Sequence, residues 1–101
     1  MVHKLTKALS ISPKVKEAVA ERDSIDGYVC CVWCGKAGLP EAHYIPRSHL
    51  GLGIEQNILT LCRECHRNFD GLKREEMKPY LKAYLESKYP DWNENDLVYK
   101  K

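Results

Sequence analysis

The sequence predicts a small α+β domain in which two short strands and a helix lie between helical segments at both ends. The prediction rests on two Cys-x2-Cys turns in the middle of the chain and on apolar residues at helical spacing on both sides of them. A chain of 101 residues forms one domain with a modest core, in which a bound metal ion contributes strongly to stability. We divide this domain, residues 1–101, into an N-terminal helical arm (1–24), a core (25–72) and a C-terminal helix with a tail (73–101).

The N-terminal arm contains a helix start. Ser12 precedes Pro13, and serine is a favoured N-cap while proline is favoured in the first helical turn. Apolar residues from Val15 onward then recur on one stripe as far as Arg22. The sequence therefore predicts a helix that begins at Pro13 and ends before Asp26 and Gly27.

The core is predicted to contain short strands separated by turns. Residues 28–31 form a strand that leads into the first thiol turn, and residues 41–45 form a second strand that ends at Pro46. A glycine-punctuated loop over residues 49–53 follows, and the aliphatic run at 57–61 predicts the partner strand. The second thiol turn then leads into a short helix over residues 66–70, with His66 at its head.

The C-terminal segment is predicted to be helical over residues 73–88. Apolar side chains recur there at i, i+3 and i+4 spacing, which is typical of a face that packs on a core. Pro79 lies inside the segment, so we expect a kink or a restart at that point. The tail from residue 91 onward has no pattern that assigns a structure.

Charge and cysteine content restrict the class of protein. Sixteen Lys+Arg against fourteen Asp+Glu give a net charge of +2, which is below the cationic excess of a protein that coats nucleic acid. Basic residues concentrate in 1–22 and 73–88, as faces that either contact phosphates or are simply solvated. Five cysteines disfavour a closed disulfide framework, and no apolar run is typical of a signal peptide or a membrane span. We therefore expect a cytoplasmic protein with reduced thiols and no membrane partner.

The two Cys-x2-Cys pairs predict a structural zinc site. Zinc favours four soft ligands in a tetrahedron, and four thiolates leave no open position for chemistry. The predicted ligands, spaced C-x2-C-x27-C-x2-C, are Cys31, Cys34, Cys62 and Cys65. Cys30 lies one residue out of register and is expected to be a small buried side chain, although its pairing with Cys34 is a less favoured alternative.

Polar residues between the two Cys-x2-Cys pairs and directly after the second pair form a candidate site. His43 lies on a predicted strand, Asn57 begins the next one, and His66 directly follows the last thiol. The zinc ion would clamp the base of this β-β-α unit and bring His43 close to the start of the helix. His66 and Asp70 are four residues apart and share one helical face, where an imidazole and a carboxylate could bind a divalent cation.

At this point the chain resembles a known family. The segments Ala-His-Tyr-Ile-Pro-Arg-Ser at 42–48 and Asn-Ile-Leu-Thr-Leu-Cys-Arg-Glu-Cys-His at 57–66 are similar to those of the HNH endonucleases with a four-cysteine zinc site. The likeness covers roughly residues 28–70. It implies the β-β-α metal fold, also called the His-Me finger, and hydrolysis of phosphodiester bonds in duplex DNA. Members of this family work in phage packaging, restriction and mobile elements, so a protein partner that supplies specificity is also implied.

The resemblance implies a role for each candidate residue. His43 matches the general base that deprotonates the attacking water, and Asn57 matches the residue that ties the loop and helps to orient the base or the metal. His66 matches a ligand of the catalytic ion, which is Mg²⁺ or another divalent cation. Asp70 lies where many members place a second ligand from the helix.

One residue departs from the family pattern. The residue before the general base is usually Asp or His and binds the metal, but here it is Ala42. Glu41 lies on the same strand face as His43 and could supply the missing oxygen if the strand bends. The departure favours a second hypothesis, in which the domain is a zinc-stapled module that binds nucleic acid or protein without cutting it.

Overall fold

The computed structural model describes residues 4–100, so the outer ends of the predicted segments 1–24 and 73–101 lie outside the described residues. The helices are α1 (Lys4–Leu9), α2 (Pro13–Arg22), α3 (Arg63–Phe69) and α4 (Arg74–Lys88), and the strands are β1 (Ser24–Ile25), β2 (Tyr28–Val29), β3 (Leu39–His43) and β4 (Ile58–Leu61). In the described chain β1 pairs with β2 and β3 with β4, both antiparallel. The protein is therefore a small mixed α/β domain with short two-stranded sheets. None of the described helices is long and apolar enough to cross a membrane.

The helix predicted after Ser12 is confirmed as α2. The Ser12 hydroxyl accepts a hydrogen bond from the backbone N–H of Val15 at 3.2 Å, which is the expected N-cap bond. The helix ends at Arg22 and packs against the β3–β4 hairpin. A further short helix, α1, precedes it and was not predicted.

The central hairpin is confirmed with shifted bounds. The first strand was predicted over residues 41–45 but ends at His43, because the N–H of Ile45 bonds the side chain of Asn57 instead of a partner strand. Asn57 itself closes a 3-10 turn (Glu55–Asn57), so β4 begins one residue later than predicted. The strand predicted over residues 28–31 is shorter than expected, since β2 covers only Tyr28–Val29.

The prediction that His66 heads its helix is wrong. α3 begins one turn earlier, because Cys62 acts as its N-cap: the Cys62 Sγ accepts the backbone N–H of Cys65 at 3.4 Å. The second thiol turn is thus already the first helical turn. His66 lies in the middle of α3, and Asp70 is its C-cap.

Of the kink or restart predicted at Pro79, the restart does not occur. α4 continues through this residue as one helix of 15 residues. Proline removes the N–H that would bond the carbonyl of Glu75, but both residues are exposed and water can satisfy that carbonyl. The apolar stripe is confirmed, since Met77, Leu81 and Leu85 are buried.

The tail, which the sequence left unassigned, packs on the core. Leu97 is buried, and the Trp92 ring meets the Tyr44 ring edge to face at 5.6 Å between centroids. The core around them consists of fully buried side chains from the hairpin, α3 and α4, which include Tyr44, Leu59, Leu61, Phe69, Leu81 and Leu85.

A buried polar cluster joins α2 to the hairpin and to α4. Arg22 binds Asp23 at 2.7 Å and donates to the carbonyl oxygen of Ile58 at 2.7 Å. Asp23 also accepts the backbone N–H of Thr60 at 3.0 Å and the hydroxyl of Tyr84. These bonds hold the N-terminal arm at a fixed position against β4.

Candidate functional site

The four cysteines predicted as zinc ligands come together in one cluster. The Sγ atoms of Cys31, Cys34, Cys62 and Cys65 all lie within 4.8 Å of one another. The Sγ atoms of Cys34 and Cys62 are 3.7 Å apart, while a tetrahedral site with Zn–S bonds of about 2.3 Å has edges of about 3.8 Å. These thiols are therefore positioned to bind a metal ion such as zinc.

Backbone N–H groups donate to two sulfur atoms of the cluster. The N–H of Cys34 donates to the Cys31 Sγ, and the N–H of Cys65 donates to the Cys62 Sγ, both at 3.4 Å. The bond from Cys65 lowers the pKa of the Cys62 thiol to about 7, whereas burial raises the pKa of the Cys65 thiol. A bound cation would stabilise the thiolates that burial otherwise disfavours.

Cys30 does not belong to the cluster. Its Sγ lies 3.3 Å from the carbonyl oxygen of Tyr28, and its backbone forms an isolated bridge with Ala37. The structure therefore places Cys31, and not Cys30, among the possible metal ligands.

A cleft of about 770 Å³ contains most of the other candidate residues. His43 reaches it from β3, while His66 and Asp70 reach it from α3. The turn between α1 and α2 forms another wall. The remaining charged or titratable side chains that line the cleft are Lys16, Glu41, Arg47, His49 and Arg74.

One nitrogen of His43 is fixed by the N-terminal arm. Its Nε2 atom lies 2.9 Å from the backbone carbonyl oxygen of Leu9. Because a carbonyl oxygen can only accept, Nε2 carries the proton and Nδ1 of the neutral ring keeps a free lone pair. Burial lowers the pKa of His43 below its usual 6.5, and the charge of Arg47 acts in the same direction. The lowered pKa favours the neutral ring, in which Nδ1 can accept a proton.

His66 and Asp70 form the pair that the helical spacing predicts. The His66 Nε2 lies 3.2 Å from an Asp70 carboxylate oxygen, and both side chains are partly exposed. They offer one imidazole and one carboxylate to a divalent cation. Within the described residues, no third imidazole, carboxylate or thiol lies close enough to complete a preformed site with this pair. Water or substrate oxygens would have to supply the remaining ligands.

Asn57 does not line the cleft. Its side chain is fully buried, and its Oδ1 accepts the N–H of Ile45 at 2.8 Å. Its Nδ2 donates to the carbonyl oxygens of Ile45 and Leu52 at 3.1 and 2.9 Å. Of the two roles predicted for Asn57, this geometry matches the tie across the loop, so its influence on the cleft passes through the backbone that it holds.

The two residues before His43 take different positions. Ala42 is fully buried and contributes to the core. Glu41 lines the cleft, as strand alternation predicts, and the ladder is irregular between Leu39 and Ala42. The Glu41 carboxylate is bound to the Lys16 ammonium at 3.2 Å, so it pairs with a cation of the arm.

Two features of the cleft were missed in the sequence. Arg74 donates to the carbonyl oxygen of Tyr44 at 2.7 Å and lies over the Phe69 ring, which brings its charge to the cleft wall. Its position at the start of a predicted helix gave a weak signal. The Leu9 carbonyl is a backbone group, for which the sequence contains no signal.

In comparisons with known proteins, no protein-family model and no curated relative matches this chain. Function is therefore inferred from the residues and their geometry.

Proposed function

We propose that this chain is a metal-dependent HNH endonuclease that hydrolyses phosphodiester bonds in duplex DNA. The main supporting observation is a single cleft that contains the His43 imidazole, bound through Nε2 to a backbone carbonyl, together with the His66–Asp70 pair. Phosphodiester hydrolysis requires a base that activates water and a cation that stabilises charge on the leaving oxygen. Both requirements have candidates in this cleft.

The order of the elements supports the β-β-α metal fold. β3, β4 and α3 follow one another along the chain, with one thiol turn before β3 and the other at the start of α3. We assign zinc to the cysteine cluster, where four thiolates complete its coordination and restrict it to a structural role.

In the proposed reaction the Nδ1 atom of His43 takes a proton from water, while Nε2–H remains hydrogen-bonded to the Leu9 carbonyl oxygen. The water oxygen forms a bond to phosphorus, the bond from phosphorus to the leaving oxygen breaks, and the leaving oxygen takes a proton from solvent to become a hydroxyl group. His66 and Asp70 would hold Mg²⁺ or another divalent cation, which supplies positive charge to the phosphate when bound. The protonated His43 then returns its proton to solvent.

Cations on the wall of the cleft support an anionic substrate. Arg47, Arg74 and Lys16 of the arm line it together with the His66–Asp70 pair. Such groups bind phosphates without reading sequence. A protein partner that supplies specificity and a cytoplasmic location remain predictions.

A second candidate function has support from two observations. The Glu41 carboxylate is paired with Lys16 and Ala42 is buried, so the His66–Asp70 pair has few neighbours that could strengthen a metal site. A zinc-stapled module that binds nucleic acid or protein without cutting would not need such a site.

Cleavage of supercoiled plasmid separates these two functions. Zinc-loaded protein is incubated with plasmid and Mg²⁺, Mn²⁺ or Ni²⁺, with EDTA in parallel, and binding of the same DNA is followed by fluorescence anisotropy. The nuclease proposal expects nicked plasmid that depends on added metal. Tight DNA binding without nicking in any metal would instead favour the binding module.

A further inference from the structure

We infer that the turn between α1 and α2 belongs to the nuclease site, where it positions His43. We also infer that this turn can pack in its place because residue 53 is a glycine without a side chain. The catalytic part of this inference rests on the function proposed above. The contact itself can be measured without activity.

The turn reaches the cleft from outside the β-β-α unit. The carbonyl of Leu9, at the end of α1, accepts the Nε2–H of His43 at 2.9 Å, and the next two residues, Ser10 and Ile11, line the cleft. The Leu9 side chain is buried, which anchors the turn. His43 therefore takes its orientation from a segment that precedes it by 34 residues.

Gly53 fits directly beneath this turn. Its N–H donates to the carbonyl oxygen of Ala8 at 3.0 Å. A Cβ atom at this position would overlap the carbonyl group of Ser10, with the carbonyl carbon only 2.6 Å away. Because the overlap is with backbone, a side chain at position 53 must displace either the turn or the loop that carries it.

A second attachment lies on the same side of the arm. Lys16 of α2 binds Glu41 of β3 at 3.2 Å, two residues before His43. The arm thus contacts the His43 strand by an ion pair and its imidazole by a hydrogen bond. Displacement of the turn would break this hydrogen bond. The neutral ring could then carry its proton on either Nδ1 or Nε2.

The test compares Gly53→Ala with wild-type protein and with Gly27→Ala. Gly27 has a φ of +85° in the β1–β2 turn with nothing within 4 Å, so its substitution strains the backbone without touching the arm. Long-range ¹H–¹⁵N spectra of zinc-loaded, ¹⁵N-histidine-labelled protein report which nitrogen is protonated, and His43→Ala identifies the signals. Cleavage of plasmid is measured on the same samples.

We expect wild type and Gly27→Ala to hold His43 with the proton on Nε2 alone. Gly53→Ala should show a mixture of both tautomers and cleave about 100-fold more slowly, the scale of loss expected for a misplaced group. Leu9→Ala, which loosens the anchor without a clash, should shift the tautomers in the same direction and serves if Gly53→Ala does not fold.

Two results would overturn the inference: a proton on Nδ1 in the wild type, or an unchanged tautomer in folded Gly53→Ala. If the tautomer shifts as expected but wild type cleaves no DNA with any metal, the positioning by the arm stands and the nuclease function fails. The two proposals are therefore tested separately.

Discussion

The Nε2 atom of His66 lies 3.2 Å from the Oδ2 atom of Asp70 on one face of α3, and both side chains line the cleft that contains His43. The helix itself brings them together, since residues four apart are neighbours on its surface. In the described part of the chain the pair has no third ligand of its own. We therefore expect this cleft to bind a divalent cation weakly, with solvent or phosphate oxygens in its coordination shell.

Removal of either member of this pair should abolish most of the divalent-cation binding. We expect His66→Ala and Asp70→Asn to weaken Mn²⁺ binding by at least about tenfold, since even outer partners of metal ligands account for roughly 10–100-fold. Calorimetric titration of zinc-loaded protein measures this. Asp26→Asn, in the exposed β1–β2 turn, is the matched control. Equal Mn²⁺ affinity in all the variants would show that this pair does not bind the metal.

The cleavage rate should depend on pH through His43. Burial lowers the pKa of His43 below 6.5, and a cation in the same cleft would lower it further. Because the proposed base is the neutral ring, activity should be fully present above this pKa and should fall as pH drops through it. Single-turnover rates at saturating metal should be level from about pH 7 upward. A rate that rises steadily through that range would exclude His43 as the titrating base.

Local signals in the sequence predicted most of the secondary structure. Ser12 and Pro13 mark a helix start by themselves, and the i, i+4 stripe from Met77 to Leu85 marks the face that packs on the core. The start of α3 was missed because a cysteine sulfur, Cys62, takes the capping role that oxygen side chains usually have.

Only some residues of the candidate site could be predicted from the sequence. His43, His66 and Asp70 were identified from spacing and resemblance, and the structure brings them to one cleft. The contributions of the arm depend on tertiary packing: the Leu9 carbonyl is a backbone group, and Arg22 and Asp23 gave no pattern beyond an ordinary helix end.

Loss of one thiol of the cluster should unfold the domain, whereas loss of Cys30 should not. Cys62→Ser removes a predicted zinc ligand, and zinc binding is coupled to folding in small domains of this kind. Cys30→Ser changes a neighbouring cysteine that lies outside the cluster. Zinc content by atomic emission and thermal melting by circular dichroism should show one zinc and a cooperative transition for Cys30→Ser alone. A cooperative, zinc-free Cys62→Ser domain would contradict the structural role.

Two ion pairs of the arm should contribute very differently to stability. The side chains of Arg22 and Asp23 are 9% and 0% exposed, so Asp23→Ala leaves a buried charge unpaired and should cost about 3–5 kcal/mol. The side chains of Lys16 and Glu41 are 44% and 43% exposed, and Glu41→Gln should cost at most about 1 kcal/mol. Urea unfolding of both variants measures the difference. Equal losses would show that the Arg22 cluster does not anchor the arm.

The most direct test of the proposed function is the nicking rate of His43→Ala relative to wild type, at equal zinc content and saturating divalent metal. A general base accounts for roughly 100- to 10,000-fold in rate, so the variant should lose at least about 100-fold. His49→Ala removes another imidazole from the same cleft and should lose far less. Metal-dependent nicking that disappears in His43→Ala is the result that the account predicts. Wild-type rates in a folded, zinc-loaded His43→Ala protein would contradict it.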